Sequence, residues 1–244
     1  MKYKVSLVLA FMFFNSAVLA NCASQDTLGA KYLITSTHID TKQSTNQHML
    51  LWRNGNQVAH EYPQTHMTEL WEQSSHGMLR LVRNFDAYQR AIEYQPGEIN
   101  NGKGIKDWGL KYQLISEELK NKMQRHAVTG EGCDKVEKYS LDSKGSRIEL
   151  EWLPNQQLIK NMKVFKKDVT LQWNLENIVK DVARVKQFFL TRNQYQTTDY
   201  IDIGDNESDP FLSKMIHLGF TKHGSSLVYE TEGRSLSSHS QHMH

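Results

Sequence analysis

Residues 148–175 read IELEWLPNQQLIKNMKVFKKDVTLQWNL, and two alternations inside this stretch decide the class of fold. Ile148, Leu150 and Trp152 alternate with Glu149 and Glu151, and Val169, Leu171, Trp173 and Leu175 alternate with Thr170, Gln172 and Asn174. Successive side chains of an extended chain point to opposite faces, so each run has one apolar and one wet face, the mark of an antiparallel sheet packed on one side. Pro154-Asn155 and Lys166-Lys167-Asp168 supply turns between the strands, and Asp142-Ser143-Lys144-Gly145 supplies one before them. A meander therefore runs from Cys133 to Leu175.

A first meander lies upstream. Extended runs at Tyr32–Ile39, Met49–Arg53, Gln57–Tyr62, Met67–Glu72, Met78–Phe85 and Tyr88–Tyr94 give about six strands. Asn54-Gly55 is a hairpin signal whose two central residues take positive φ. Asp86-Ala87 joins the last two runs, and Pro96-Gly97 with the Gly102-Lys103-Gly104 loop closes the series. Between the meanders the period changes: Trp108, Tyr112, Ile115, Leu119 and Met123 predict one amphipathic helix within 106–124. After the second meander, Ile178, Val182, Val185 and Phe189 return to helical spacing. Asp209-Pro210 opens a last short helix with an N-cap carboxylate and a proline in its first turn, and Gly219 closes it. The expected fold is α+β: a strongly curved antiparallel sheet, an unclosed half-barrel of about ten strands, packed with two or three helices. It forms a single domain over 21–224 with C-terminal helices, followed by a flexible polar, His-containing tail over 225–244.

The N-terminus predicts the compartment. Lys2 and Lys4 precede the apolar run Val5–Phe14, and Val18-Leu19-Ala20 is a small-residue cleavage site, so residues 1–20 read as a signal peptide cut after Ala20. The mature chain is expected in the periplasm or secreted, with no transmembrane segment. Leu19-Ala20-Asn21-Cys22 resembles a lipoprotein cleavage box but departs from it at Asn21, which leaves lipid attachment at Cys22 as the alternative. Cys22 and Cys133 are the two cysteines; in an oxidising compartment they can close a disulfide, and otherwise both stay reduced or Cys22 is lipidated. Lys2 and Lys4 are the whole excess of the 29 Lys and Arg over the 27 Asp and Glu, so the mature chain is formally neutral. That excludes the cation surplus a nucleic-acid binder needs to displace counterions from phosphate.

Candidate chemistry is sparse. Five carboxylates fall within 199–209, and Asp199, Asp202, Asp205 and Glu207 form an oxygen set that Ca²⁺ favours, without the spacing of an EF-hand loop. Zn²⁺ capture by His239, His242 and His244 in the tail is weaker still. His38, His48, His60, His66 and His76 read as surface histidines, and Glu69, Glu72 and Glu93 as carboxylates on strand surfaces. Gly-x-Ser-x-Gly is missing, which makes a hydrolase the poorest reading. Many strands carry bulky apolar faces and rather few helices are there to cover them, and a curved sheet can leave a cavity lined by Trp52, Trp71, Phe85, Ile92, Tyr94, Trp152 and Trp173.

The order of elements resembles the outer-membrane lipoprotein carrier and receptor superfamily, the LolA/LolB-like proteins. The Tyr32–Tyr94 meander, the Trp108–Met123 helix and the Cys133–Leu175 meander carry the resemblance over about 150 residues; within them Ile148-Glu149-Leu150-Glu151-Trp152-Leu153-Pro154 resembles a strand followed by a proline turn. The resemblance implies an unclosed barrel capped by helices over a hydrophobic cavity for acyl chains; the segment after Val182 departs from it. The expected function is an exported, non-catalytic binding protein for a lipid or another apolar small molecule, with no cofactor. A metal-binding protein using the acidic 199–209 segment or the histidines is the alternative.

Overall fold

The structure is a computed structural model that describes residues 22, 24–74, 76–99, 105–143, 145–206 and 208–217. Its elements are β1 (Thr27–His38), β2 (Ser44–Asn54), β3 (Gln57–Tyr62), β4 (Met67–Gln73), β5 (Leu79–Phe85), β6 (Arg90–Tyr94), α1 (Trp108–Gln113), α2 (Glu117–Lys122), β7 (Gln124–Thr129), β8 (Val136–Ser143), β9 (Ser146–Leu153), β10 (Leu158–Lys166), β11 (Val169–Val179), α3 (Val182–Arg192), β12 (Gln196–Asp199) and α4 (Pro210–His217). The twelve strands form one unclosed sheet in the order β12-β6-β5-β4-β3-β2-β1-β11-β10-β9-β8-β7. The two meanders are halves of this sheet, joined where β1 runs antiparallel to β11 with Ile34 opposite Trp173.

Several expectations are corrected. The strands number twelve rather than about ten, because β7 and β12 add one strand at each end of the sheet. β12 pairs with β6 in parallel, the one departure from antiparallel pairing among the described strands. It reaches that edge through α3, since a parallel neighbour requires a crossover rather than a hairpin. The single helix expected within 106–124 is two: Leu114 takes φ 65°, a left-handed conformation that ends α1, and Ser116 starts α2 by accepting a hydrogen bond from the Leu119 amide. The apolar stripe survives the break, with Tyr112, Leu114, Ile115 and Met123 all in the main core. Ile178 belongs to β11, and helix begins only at Val182, where the Asp181 carboxylate accepts from the amides of Ala183 and Arg184. The β2–β3 loop is Gly55-Asn56 rather than Asn54-Gly55; only Gly55 has positive φ, 63°, as in a type II′ hairpin. Asp209 caps α4 through the Phe211 and Leu212 amides as expected. The signal segment, the Gly102-Lys103-Gly104 loop, Gly219 and the 225–244 tail lie outside the described residues.

The sheet has two differently covered faces. On the core face, α1 and α2 pack over β1–β4 and β8–β11, while α4 packs Phe211, Leu212 and Met215 against Trp71, Leu81, Phe85 and Ile92. On the outer face, α3 sets Val185 and Phe189 on Trp52, Ala59 and Leu70. Among the described residues, no helix is long and apolar enough to cross a membrane.

Cys22 and Cys133 are joined in a disulfide, with their Cα atoms 5.2 Å apart and 111 residues between them in sequence. The bridge fastens the segment ahead of β1 to the turn that enters β8, and the Cys22 sulfur so engaged has no thiol to carry a lipid. Closing so long a loop restricts the unfolded chain, and Cys133→Ser is expected to cost about 2–5 kcal/mol. Thermal melts check this: the melting temperature of the natural chain should fall on adding dithiothreitol, and that of the variant should not respond.

Candidate functional site

Cross-strand register lays three parallel rows on the core face of β2–β6. One row runs Val58, Trp71, Leu81, Tyr94, and a second runs Tyr62, Met67, Phe85. The row between them is Leu51, His60, Glu69, Arg83, Ile92. Directly opposite residues share a face, so this middle row places an imidazole, a carboxylate and a guanidinium side by side in the interior. His60 is 0% exposed, Glu69 1% and Arg83 3%. Glu69 accepts a hydrogen bond from Arg83 at 2.8 Å. α1 covers the row and brings Lys111, itself buried, with Nζ 3.9 Å from the centre of the Trp71 ring.

α1 is held by side chains that reach its C-terminal carbonyls, groups a helix end leaves without intrahelical partners. His60 Nε2 lies 2.8 Å from the Lys111 carbonyl oxygen, and Arg53 Nε donates to the Tyr112 carbonyl at 2.7 Å. Arg53 is fully buried on β2 and also donates to the carbonyls of Gln25, Gln156 and Gln157, the last two at 2.7 and 2.6 Å. Its guanidinium lies 3.9 Å from the centre of the Tyr112 ring. The β9–β10 turn is three strand positions from β2, farther than one side chain reaches across a flat sheet, so this contact requires the sheet to curve. One side chain therefore fastens the N-terminal segment, α1 and the second meander together.

Burial sets the charge states. Burial lowers the Arg53 pKa to about 10, with the Tyr112 and Tyr32 hydroxyls opposing, and leaves the group charged at neutral pH. Burial also lowers the His60 pKa to about 4; the Lys111 charge works in the same direction, and the Lys111 carbonyl and Glu69 oppose it. His60 is neutral at pH 7, and because the facing carbonyl can only accept, Nε2 carries the proton and Nδ1 is a bare acceptor. For Glu69, burial favours the neutral acid, but Arg83 and then Lys111 outweigh it and hold the carboxyl below its ordinary range. Three fully buried polar atoms beside this row have no hydrogen-bond partner among the described residues: His60 Nδ1, the Tyr62 hydroxyl and Trp71 Nε1.

The linkage has a definite sign. His60 binds its proton near pH 6.5 when unfolded and only near pH 4 when folded, so its contribution is complete above about 6.5 and is lost as pH falls toward 4. Stability should drop by up to about 1.4 kcal/mol per pH unit in that window. Glu69, held below its ordinary value, adds a loss at the acid end. Urea melts at pH 7, 5.5 and 4.5 test this; His60→Gln should flatten the slope between the first two.

The bulky apolar set expected to line one cavity is divided. Trp71, Phe85, Ile92 and Tyr94 pack with α4, and Trp152 and Trp173 lie in the core under α1 and α2. Trp52 faces the outer side, stacked on Phe188 at 4.5 Å with its indole N–H donating to Glu61. All seven are buried. Asp199 ends β12, Asp202 and Asp205 lie in the 3-10 turn Tyr200–Asn206, and Glu207 is outside the described residues. Among the described residues, no three His, Cys, Asp or Glu side chains converge where they could hold a metal ion. The surface assignments of His60 and Glu69 are corrected: both are interior. Arg53, Arg83 and Lys111 carried no expectation at all.

No family model matches the sequence, and no curated protein does. Solved structures match its architecture. The likeness to LolA-type proteins lies in architecture only. A LolA superfamily protein from Nitrosomonas europaea matches at 8% identity and TM-score 0.28, over 64% of this chain and 86% of that one. An outer membrane lipoprotein-sorting protein domain from Vibrio parahaemolyticus matches at 8% identity and TM-score 0.33, over 70% of this chain and 93% of that one. PNGF-II matches at 8% identity and TM-score 0.40, over 71% of this chain; the match spans only 31% of PNGF-II.

Proposed function

We propose that the chain is an exported, non-catalytic binding protein that holds a lipid or another apolar ligand between the core face of its sheet and the α1–α2 cover. The observation that carries this reading is the state of that interface. The largest hydrophobic core cluster among the described residues is roofed by two six-residue helices joined through the left-handed Leu114. Beneath them lie His60 Nδ1, the Tyr62 hydroxyl, Trp71 Nε1 and Trp173 Nε1, all buried without a hydrogen-bond partner among the described residues. Buried polar atoms are nearly always hydrogen-bonded, so a face with four orphans amid apolar side chains fits a site made to receive an amphiphile. Met49, Met67, Met123 and Met162 lie in the same core, and unbranched thioethers repack readily around a chain of variable shape. Export is supported by the N-terminal sequence and by the Cys22–Cys133 bridge, which persists only in an oxidising compartment.

The test is extraction of the protein purified from its export compartment, with mass spectrometry of the organic phase. Stoichiometric lipid is the expected result. Repeated empty preparations that also give no fluorescence gain with apolar dyes would overturn the reading.

A further inference from the structure

The outer face of β7–β10 holds a groove of about 600 Å³ that the core-face reading does not use, within the roughly 300–1,000 Å³ of ordinary ligand clefts. α3 covers this face only over the other half of the sheet. Register arranges the groove floor in rows: Ser140, Glu149 and Lys163 in one, Lys138, Glu151 and Asn161 in the next, with Asp142 opposite Arg147 beside them. His126 is the extra residue of a bulge in β7, between Arg125 and Ala127, and its Nε2 lies 2.6 Å from the Ser140 hydroxyl. Bulges re-aim a side chain, and this one presents an imidazole at the groove wall.

The electrostatics disfavour a strongly charged ligand. Lys138, Arg147 and Lys163 balance Asp142, Glu149 and Glu151, so the lining is formally neutral. Most of these charges already satisfy each other: Lys138 pairs with Glu151 at 2.8 Å, and Arg147 with Glu149 at 3.0 Å and with Asp142 at 3.5 Å. A strongly charged ligand would have to break these pairs. What the floor offers is partly exposed donors and acceptors in alternation, several of them planar forks, at cross-strand spacings of about 5 Å. Hydroxyl groups around a sugar ring donate and accept over comparable distances.

We propose that this groove binds a neutral oligosaccharide of about two or three rings. Asn161, through the amide oxygen left by its Nδ2 bond to Asn174, and Glu149, through the carboxylate oxygen opposite the one Arg147 holds, contact hydroxyls directly, and the His126–Ser140 pair closes one end. An extended peptide would instead pair main chain to main chain with the open edge of β7. The site is independent of the core-face ligand, and its test needs no lipid.

The intact protein is titrated calorimetrically with maltotriose, cellotriose and chitotriose, after a glycan-array survey to choose among neutral glycans. One glycan series should bind, and Asn161→Ala and Glu149→Gln should each weaken it at least about tenfold while melting temperatures stay within a degree or two of the natural chain. His126→Ala is a second surface variant with the same expectation. Absence of binding by every neutral glycan at millimolar concentration overturns the proposal. So does binding that all three variants leave unchanged, or a preference for peptides that protects β7 amides from exchange. None of these outcomes bears on lipid extracted from the core face.

Discussion

Arg53→Met should cost about 3–5 kcal/mol, because it removes a buried charge whose partners cannot find replacements. The carbonyls of Tyr112, Gln156 and Gln157 lose this donor, that of Gln25 keeps the Tyr112 hydroxyl, and the C-terminal end of α1 loses the cation facing it. Methionine fills most of the volume, so the loss reports on hydrogen bonding rather than on a cavity. Arg53→Lys keeps the charge but not the fork, and should recover only part of the loss, since one ammonium cannot serve carbonyls from three separate segments. Urea unfolding gives the magnitude. Near-UV circular dichroism of Tyr112 and Trp108 gives the cause, because α1 should loosen before the sheet does. A loss under 1 kcal/mol would mean that these carbonyls find other donors and that Arg53 is not the fastening described.

The second large effect concerns the interior ion pair. Arg83→Met alone leaves the Glu69 carboxylate buried beside Lys111 with its closest partner gone, and Glu69→Gln alone leaves the Arg83 guanidinium buried without the carboxylate that offsets its burial. Each is expected to cost about 3–5 kcal/mol. The double variant should cost less than the sum by about 0.5–3 kcal/mol, since neither charge is then left stranded. Denaturant midpoints of the four proteins complete the cycle. Additive losses would show that the two groups do not depend on each other. Natural stabilities are commonly 5–15 kcal/mol, so either single change threatens folding at 37 °C, and the measurements belong at lower temperature.

The sheet was readable because it repeats a simple rule. The two alternations within 148–175 lie as the structure has them, with Leu150 and Trp152 buried and Glu149 and Glu151 on the wet side. The same rule held the clue to the interior charges, and it went unread. His60 stands between Val58 and Tyr62, Glu69 between Met67 and Trp71, and Arg83 between Leu81 and Phe85, each in phase with core residues on its own strand. Residue type argued for the surface; period argued for the core, and period was right. Arg53, in phase with Met49 and Leu51, obeys it too. Lys111 could not be found this way, because its burial depends on where α1 lies, and the apolar stripe of that segment does not include it.

The weaker expectations failed for local reasons. The split of the 106–124 helix turns on Leu114, a residue with good helix propensity that takes a left-handed φ of 65°, followed two residues on by Ser116, whose side chain caps a new helix. Trp52 separated from the other cavity aromatics because β2 is buried on both faces, so burial alone did not tell which side a residue serves.

By itself the sequence determined the two meanders, the cap at Asp209, the apolar segment between the meanders and the charge balance, all of which follow from local period and local hydrogen bonding. Tertiary structure decided that β1 and β11 weld the meanders into one sheet, that Cys22 meets Cys133, and that His60, Glu69 and Arg83 from three strands form a row beneath Lys111. It also decided that β7 bulges at His126 to shape a polar groove on the opposite side. The reason is the same in each case: strand pairing brings together residues tens of positions apart, and register, which no local window of sequence contains, fixes which side chains become neighbours.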